Sequence, residues 1–204
     1  MLLLSAGAML AQPFGFGIKG GVPMTDFLNA ASQSNPNYAF VTTTDRYAVG
    51  PMAELRLPFG LGVEVDALYR HYNYNGQTTV SSATTVGAWE FPLVGKYRFK
   101  THLPLIRPYV EAGWAWDKLS GLTQTVTSTV AGAIHTSTTS NPAELHKDVT
   151  SGFVFGGGVE IKILVLRIAP EVRFTRWGDH HFLDPSGLLQ SNLNQAEFLV
   201  GLTF

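Results

Sequence analysis

The chain has 204 residues, of which 14% are charged and 12% aromatic, and its formal net charge is −1. This near-neutral charge gives no indication of a nucleic-acid partner, and the absence of cysteine excludes disulfides, thiolate metal sites and a cysteine nucleophile. The charged fraction lies well below the roughly 25% of an average soluble domain, and the length suits one domain or one small barrel.

The N-terminal sequence MLLLSAGAMLAQ combines an apolar run with small residues. This pattern is typical of the hydrophobic segment and cleavage site of a secretory signal. We therefore expect residues 1–11 to be a signal peptide that lacks the usual basic start, and residues 12–204 to form one domain. A short buried strand or helix is the alternative. No later apolar run reaches the ~18 residues of a transmembrane helix.

Eight later segments alternate between apolar and polar residues, which is the period of a β-strand with two different faces. They are residues 14–22, 46–57, 61–73, 86–99, 107–118, 150–161, 166–177 and 196–204. The connections alternate between long and short, with long polar segments predicted at 23–45, 74–85, 119–149 and 178–194. An even strand number with short turns at one end and long loops at the other is the layout of a membrane barrel. The sequence therefore predicts an all-β fold, an eight-stranded antiparallel up-and-down transmembrane β-barrel.

The alternation does not by itself say which row faces outward, since a soluble barrel such as a lipocalin turns its apolar row inward. Here the apolar row contains fifteen aromatic residues, too many for the interior of an eight-stranded barrel. The opposite row carries nine positive and nine negative residues, and this balance suits a narrow lumen because an unpaired buried charge is costly. The predicted lumen charges are Lys19, Arg46, Glu54, Arg56, Glu64, Asp66, Arg70, Glu90, Lys96, Arg98, Arg107, Glu111, Asp117, Glu160, Arg167, Glu171, Arg173 and Glu197.

The last predicted strand reads AEFLVGLTF and places Phe198, Val200, Leu202 and Phe204 in one row. This row resembles the C-terminal signature that the assembly machinery of the bacterial outer membrane reads. The pattern from residue 14 to 204 resembles the OmpA-like family of small outer-membrane β-barrels. The resemblance implies an outer-membrane location with membrane lipids and the barrel assembly machinery as partners. With an even number of strands, both termini are expected on the periplasmic side.

The first functional hypothesis is a non-enzymatic barrel with a structural role, or with a binding role for an extracellular ligand through the 119–149 loop. The charged lumen is then plugged by ion pairs. The alternative is a small porin or channel for ions or small solutes. A third hypothesis is a lipid A-modifying hydrolase that uses His135 and Ser137, with Glu144 nearby. The pair His135 and Ser137 resembles the His-x-Ser pair of eight-stranded lipid A deacylases. A solvated loop is the simpler interpretation of these three residues.

Two adjacent histidines, His180 and His181, lie beside Asp179 and Asp184. Imidazole and carboxylate groups suit zinc, nickel or copper. Adjacent side chains in a strand or turn point apart, however, and this favours an exposed polar loop over a metal site. We predict no cofactor and no resident metal.

Overall fold

The computed structural model describes residues 13–30, 39–44, 47–77, 81–101, 105–130, 133–183 and 189–204. The expected signal peptide lies outside these residues. The strands are β1 (Phe14–Pro23), β2 (Leu28–Ala30), β3 (Ala39–Thr44), β4 (Ala48–Arg56), β5 (Leu61–Asp66), β6 (Leu68–Gln77), β7 (Ser81–Arg98), β8 (Ile106–Val130), β9 (Ala133–Thr139), β10 (Val149–Ile163), β11 (Leu166–Trp177), β12 (Leu189–Ser191) and β13 (Asn194–Thr203). No helix in this described part of the chain is long and apolar enough to span a membrane.

Antiparallel pairing closes the described strands into a barrel. The strand β1 pairs with β4 on one side and with β13 on the other, so that Gly20 lies opposite both Val49 and Val200. The circuit continues from β4 through β5 and β6 to β7, β8, β10, β11 and β13. Because β5 and β6 together occupy one position, this described circuit has eight positions. The predicted fold class is therefore confirmed.

The position shared by β5 and β6 is interrupted at Ala67. The amide of Ala67 donates a hydrogen bond to the carbonyl oxygen of Pro51 at 3.0 Å, and beyond the break Tyr69 pairs with Val49. A Cβ atom at Gly50 would overlap the carbonyl oxygen of Ala67. The close approach of the two backbones at this break therefore requires glycine at position 50.

The two rows of each strand lie on opposite faces of the barrel wall. The outward row is apolar and exposed, as in Ile18, Val65 and Trp114, with exposed fractions of 59%, 47% and 45%. The inward row contains charged residues such as Lys19 and Glu64, each 1% exposed. An apolar exterior with a charged interior is the reverse of a soluble barrel and matches a lipid-facing band.

Short connections and long connections lie at opposite ends of the barrel. The short-turn end contains the connections at 57–60, 99–105 and 164–165, together with the first residue of β1 and the last residue of β13. Residues 102–104 lie outside the described part. Two non-glycine residues at this end have left-handed backbone angles, Phe59 with φ 65° and Leu164 with φ 55°. We call the other end the long-connection end.

Strands at the long-connection end continue well past the predicted boundaries. The predicted polar loop at 74–85 is wrong, because β6 extends to Gln77 and β7 begins at Ser81. The predicted 119–149 loop is likewise interrupted by a hairpin, since β8 continues to Val130 and pairs with β9. We call the five-stranded assembly of β3 with the ends of β6, β7 and β8 and with β9 the protruding sheet. Its many threonines and valines favour the pleated conformation, which explains why a polar sequence forms strands here.

An apolar cluster lies inside the barrel toward the long-connection end. The rings of Phe27 and Tyr72 stack with centroids 3.9 Å apart, and Phe182 packs against Phe27 in a T-shaped arrangement at 6.3 Å. Val86, Ala88 and Leu119 complete this cluster. It covers the charged part of the lumen with side chains that belong to both strands and connections.

Candidate functional site: the charged lumen

The lumen charges form three layers along the barrel. The central layer contains Lys19, Lys96, Arg173, Glu64, Asp66, Glu111 and Glu171. The short-turn layer contains Glu54, Arg56, Arg98, Glu160 and Arg167. The distal layer, toward the long-connection end, contains Arg70, Glu90, Glu197 and Asp117.

Arg173 joins three walls of the barrel in the central layer. Its Nε lies 2.9 Å from Glu111 on β8, and its Nη1 lies 2.8 Å from Asp66 on β5. Its Nη2 lies 2.9 Å from Glu171 on its own strand. The side chain of Arg173 is fully buried, so these contacts are made away from bulk water. The guanidinium thereby bridges the lumen instead of lining one wall.

Two lysines complete the central layer. Lys19 places its Nζ 2.5 Å from Glu64 and 2.8 Å from Glu171, and Lys96 places its Nζ 2.7 Å from Glu64. Tyr109 donates a hydrogen bond to Glu171 at 2.5 Å. Three cations therefore face four carboxylates within one cross-section, with contacts at hydrogen-bond distance.

Glu64, Glu111 and Glu171 bring carboxylate oxygens within 4.8 Å of one another, a spacing that could hold a metal ion. In the described structure the same carboxylates contact Lys19, Lys96 and Arg173. The ammonium and guanidinium groups thus already neutralise the trio. The arrangement is chemically an ion-pair network, and we assign no metal to it.

The short-turn layer has the opposite charge balance. Arg98 contacts Glu54 and lies 2.9 Å from Glu160, and Arg167 lies 2.7 Å from the same Glu160. Arg56 lies 3.4 Å from Glu54. Three arginines therefore share two carboxylates, and this layer has a surplus of one positive charge.

The distal layer has more carboxylates than cations. Arg70 is fully buried and contacts both Glu90 and Glu197, with 2.7 Å to the latter. Gln195 also donates to Glu197 at 2.9 Å and accepts a hydrogen bond from the indole of Trp177 at 3.0 Å. Asp117 lies opposite Glu90 on the neighbouring strand. The described lumen as a whole therefore contains seven cations and nine carboxylates.

His181 connects the distal layer to the connections above it. Its Nε2 lies 3.2 Å from Asp117 and 3.1 Å from Thr150, and its Nδ1 lies 2.8 Å from the carbonyl oxygen of Lys147. A carboxylate and a carbonyl oxygen only accept hydrogen bonds, so the imidazole ring is the donor in any hydrogen bond to Asp117 or to the carbonyl oxygen of Lys147. The expectation of an exposed loop is wrong for His181, which is 4% exposed. Sequence reasoning could not find this contact, because the partner carboxylate is 64 residues away along the chain.

The residues considered as metal ligands do not converge on one point in the described structure. The Nδ1 of His180 lies 2.6 Å from the carbonyl oxygen of Ser191, so the two adjacent histidines have different partners. Asp184 lies outside the described residues. Lys147 donates a hydrogen bond to the exposed Asp179 at 2.6 Å, and this bond lowers the pKa of that carboxyl group. Within the described residues, neither histidine belongs to a group with metal-ligand spacing.

The candidate hydrolase residues lie on the protruding sheet. His135 and Ser137 are both exposed on β9, and in the described structure no hydrogen bond joins their side chains. Glu144 accepts a hydrogen bond from Gln124 at 3.4 Å. Nothing in this geometry orients a base toward the serine hydroxyl, which a nucleophilic mechanism needs.

Two predicted lumen residues do not lie in the three layers. Arg46 lies outside the described residues. Arg107 is exposed at the start of β8, because this position is at the barrel rim rather than within the wall.

The row predicted as an assembly signal faces outward, with Phe198 and Phe204 exposed by 41% and 68%. Its recognition by the assembly machinery stays a prediction.

Comparisons with known proteins agree with this architecture. The family model "Outer membrane protein beta-barrel domain" matches residues 10–178. The alignment with the solved structure of Neisserial surface protein A (NspA) covers 93% of this chain and 94% of the NspA chain, with 14% identity and a TM-score of 0.51. The alignment with the solved structure of OprG from Pseudomonas aeruginosa covers 93% of this chain and 92% of the OprG chain, with 10% identity and a TM-score of 0.58.

At these identities the two solved structures establish the fold alone. A search of the curated proteins found no match. The family match covers most of the chain, and the closed antiparallel barrel with an apolar exterior agrees with it. The chain therefore belongs to the outer-membrane β-barrel domain family, and its place is the bacterial outer membrane.

Proposed function

We propose that the protein is a non-conducting barrel that anchors a binding surface in the outer membrane. The observation that carries the proposal is the central layer, in which Lys19, Lys96 and Arg173 join carboxylates from several strands across the lumen. An eight-stranded interior is just wide enough for ordinary side chains to fill. Long, paired side chains in one cross-section therefore leave little room for a water-filled path.

The energetics support a plug. An ion entering the central layer must displace one partner from contacts of 2.5–3.4 Å between buried groups. Removing one partner from a buried ion pair typically costs about 3–5 kcal/mol. Such a barrier favours a closed lumen over the alternative of a small porin.

The experiment is conductance in planar bilayers, with the wild type beside the double variant Lys96→Ala/Glu111→Ala. These two residues face each other on β7 and β8, and their side chains lie 3.3 Å apart. Removing both leaves the net charge of the layer unchanged but opens space in it. We expect a silent wild type and a conducting variant, with insertion of both proteins verified by the mobility difference between unboiled and boiled gel samples. Steady, ohmic conductance of the wild type would support the porin alternative and contradict the plug.

The protruding sheet is the binding surface that we propose for an extracellular ligand. It includes part of the 119–149 region, which the sequence predicted as the ligand-binding loop. The side chains of β9 are exposed at nearly every position. Within the described residues, β3 and β9 each pair with one strand, so the sheet has two edges with free backbone groups. Rigid sheets that carry exposed polar residues are suitable scaffolds for recognition.

This role requires the long-connection end to face outward and both termini to face the periplasm. The chain has no cysteine, so a single introduced thiol gives a clean probe. A membrane-impermeant maleimide should label Ser137→Cys on intact cells, whereas Leu164→Cys should react only after the outer membrane is permeabilised. Labelling of Leu164→Cys on intact cells, with Ser137→Cys protected, would reverse the orientation.

The proposed role includes no catalysis. The positions of His135 and Ser137 support this, because both are exposed and no hydrogen bond joins their side chains in the described structure. The test is incubation of the folded protein with lipid A. Acyl release that disappears in Ser137→Ala would establish a hydrolase instead.

A further inference from the structure

A cavity at the short-turn end lies beside the lumen network and shares Arg98 with it. It has a volume of about 440 Å³ and lies between the turn at 57–60 and the connection that follows β7. Its lining contains three cationic residues, Arg98, Lys100 and Arg107, and two aromatic residues, Phe59 and Phe99. Among the described residues that line it, none is a carboxylate. The cavity therefore combines positive charge with apolar rings.

The cations of this cavity differ in how they are engaged. Arg98 is 7% exposed and contacts Glu54 and Glu160 in the short-turn layer. Lys100 and Arg107 are exposed, and among the described residues neither has a carboxylate partner. Two full positive charges at the cavity are thus available to an anion.

The whole short-turn end has a surplus of positive side chains. Within the described residues, six cationic side chains face two carboxylate side chains, those of Glu54 and Glu160, so the side chains at this end have a surplus of four positive charges. The six are Arg56, Arg98, Lys100, Arg107, Lys162 and Arg167. The distal layer has the opposite surplus, so the barrel is polarised along its axis. The field at the short-turn end therefore attracts anions.

Apolar groups surround the mouth of the cavity and continue along the outer wall. Phe59 is held at φ 65° with 83% of its surface exposed, an arrangement of an aromatic ring that is unfavourable in water. Phe99 packs edge-on against Tyr97 with ring centroids 5.1 Å apart, and both rings belong to the exposed outer belt. Leu61 and Ile106 extend this apolar surface beside the cavity, with exposed fractions of 47% and 38%.

We propose that this cavity binds the phosphate group of an anionic glycerophospholipid. Lys100 and Arg107 contact the phosphate, and the acyl chains lie along the belt beside Phe99 and Leu61. The apolar surface that adjoins the cations favours a lipid over free inorganic phosphate, which would use the charges alone. This proposal requires that the barrel is inserted in the membrane. The proposed orientation of the barrel decides only which leaflet supplies the lipid.

The experiment is native mass spectrometry of the folded full chain in detergent micelles. The probes are phosphatidylglycerol and phosphatidylcholine with identical acyl chains, and the variant is Lys100→Gln/Arg107→Gln. Each cation near an anionic lipid surface changes affinity by about fivefold, so we expect about 25-fold weaker retention of phosphatidylglycerol in the double variant. The matched control is Lys118→Gln, an exposed lysine on β8 away from the cavity, which should retain the lipid like the wild type.

Each outcome decides the proposal. Preferential retention of phosphatidylglycerol that the double variant loses supports it. Equal retention of both lipids by the wild type, or an unchanged double variant, overturns it. Displacement of the lipid by millimolar inorganic phosphate would assign the site to a free anion and also overturn it. The mobility difference between unboiled and boiled gel samples reports the fold of every variant, and conductance reports the plug, so failure of this proposal is distinguishable from failure of the proposed function.

Discussion

Replacing Arg173 with methionine tests the energetic role of the central layer. Methionine has a similar length but no charge, so the substitution removes the charge while keeping much of the volume. Arg173 contacts Glu64, Asp66, Glu111 and Glu171, and it is fully buried. Without it, two lysines face four carboxylates instead of three cations facing four.

The expected loss follows from leaving buried carboxylates without a partner. Breaking a buried ion pair by removing one member costs about 3–5 kcal/mol, and we expect Arg173→Met to fall in this range. Removing one carboxylate as well restores the original net charge of the layer. Arg173→Met/Asp66→Asn should therefore recover about 1–3 kcal/mol of the loss, as expected for directly coupled groups.

The assay is equilibrium urea unfolding in phosphatidylcholine vesicles, followed by tryptophan fluorescence and by the mobility difference between unboiled and boiled samples. Arg176→Met is the matched control, because Arg176 is exposed on the same strand and donates to Asn194 at 2.6 Å. An exposed substitution of this kind should change stability by less than about 0.5 kcal/mol. If Arg173→Met is as stable as this control, the lumen ion pairs do not stabilise the barrel and the reasoning is refuted.

Three further outcomes are expected. Val65→Arg, on the outer belt, should lose about 2–4 kcal/mol and fail to give the folded gel band in vesicles, while Val65→Leu folds normally; a normal arginine variant would mean that Val65 does not face lipid. His181→Phe leaves the buried Asp117 carboxylate without its imidazole partner and should lower the free energy of unfolding by about 1–3 kcal/mol. Amide hydrogen exchange at Lys147 should become faster in this variant. Unchanged exchange would contradict the link between the distal layer and the connection that contains Lys147. The Lys147–Asp179 pair lowers the pKa of the Asp179 carboxyl group. The stabilisation from this pair should therefore be present at pH values above the ordinary carboxyl pKa and be lost as the pH falls through the lowered pKa. Lys147→Ala should accordingly raise the titration midpoint of Asp179 in an NMR titration, and an unmoved midpoint would contradict the pairing.

Much of the barrel wall could be predicted because alternation depends on local sequence alone. The segment 166–177, for example, has the same bounds in the prediction and in the structure. The direction of each row followed from charge and ring size, and the exposed Trp114 and buried Lys19 agree with it. These inferences need no knowledge of which strands pair.

The parts that sequence reasoning missed depend on contacts between distant segments. Polar segments such as 81–85 look like loops in isolation, yet pairing with β6 and β8 makes them strands. His181 lies in a connection, and its buried position follows from contacts with Asp117 on β8 and Thr150 on β10. The exposure of Arg107 follows from where β8 begins, since this residue is the second of the strand and lies at the rim.

The central claim is that the apolar row faces lipid and the opposite row faces the lumen. Two tryptophans on opposite faces test it directly, since Trp114 is 45% exposed on the outer belt and Trp177 is 5% exposed inside the wall. Single-tryptophan proteins, with the other three replaced by phenylalanine, are folded into vesicles of lipids brominated along their acyl chains. We predict strong quenching of Trp114 fluorescence and little quenching of Trp177. Quenching of Trp177 with Trp114 unaffected would reverse the two faces and contradict the account.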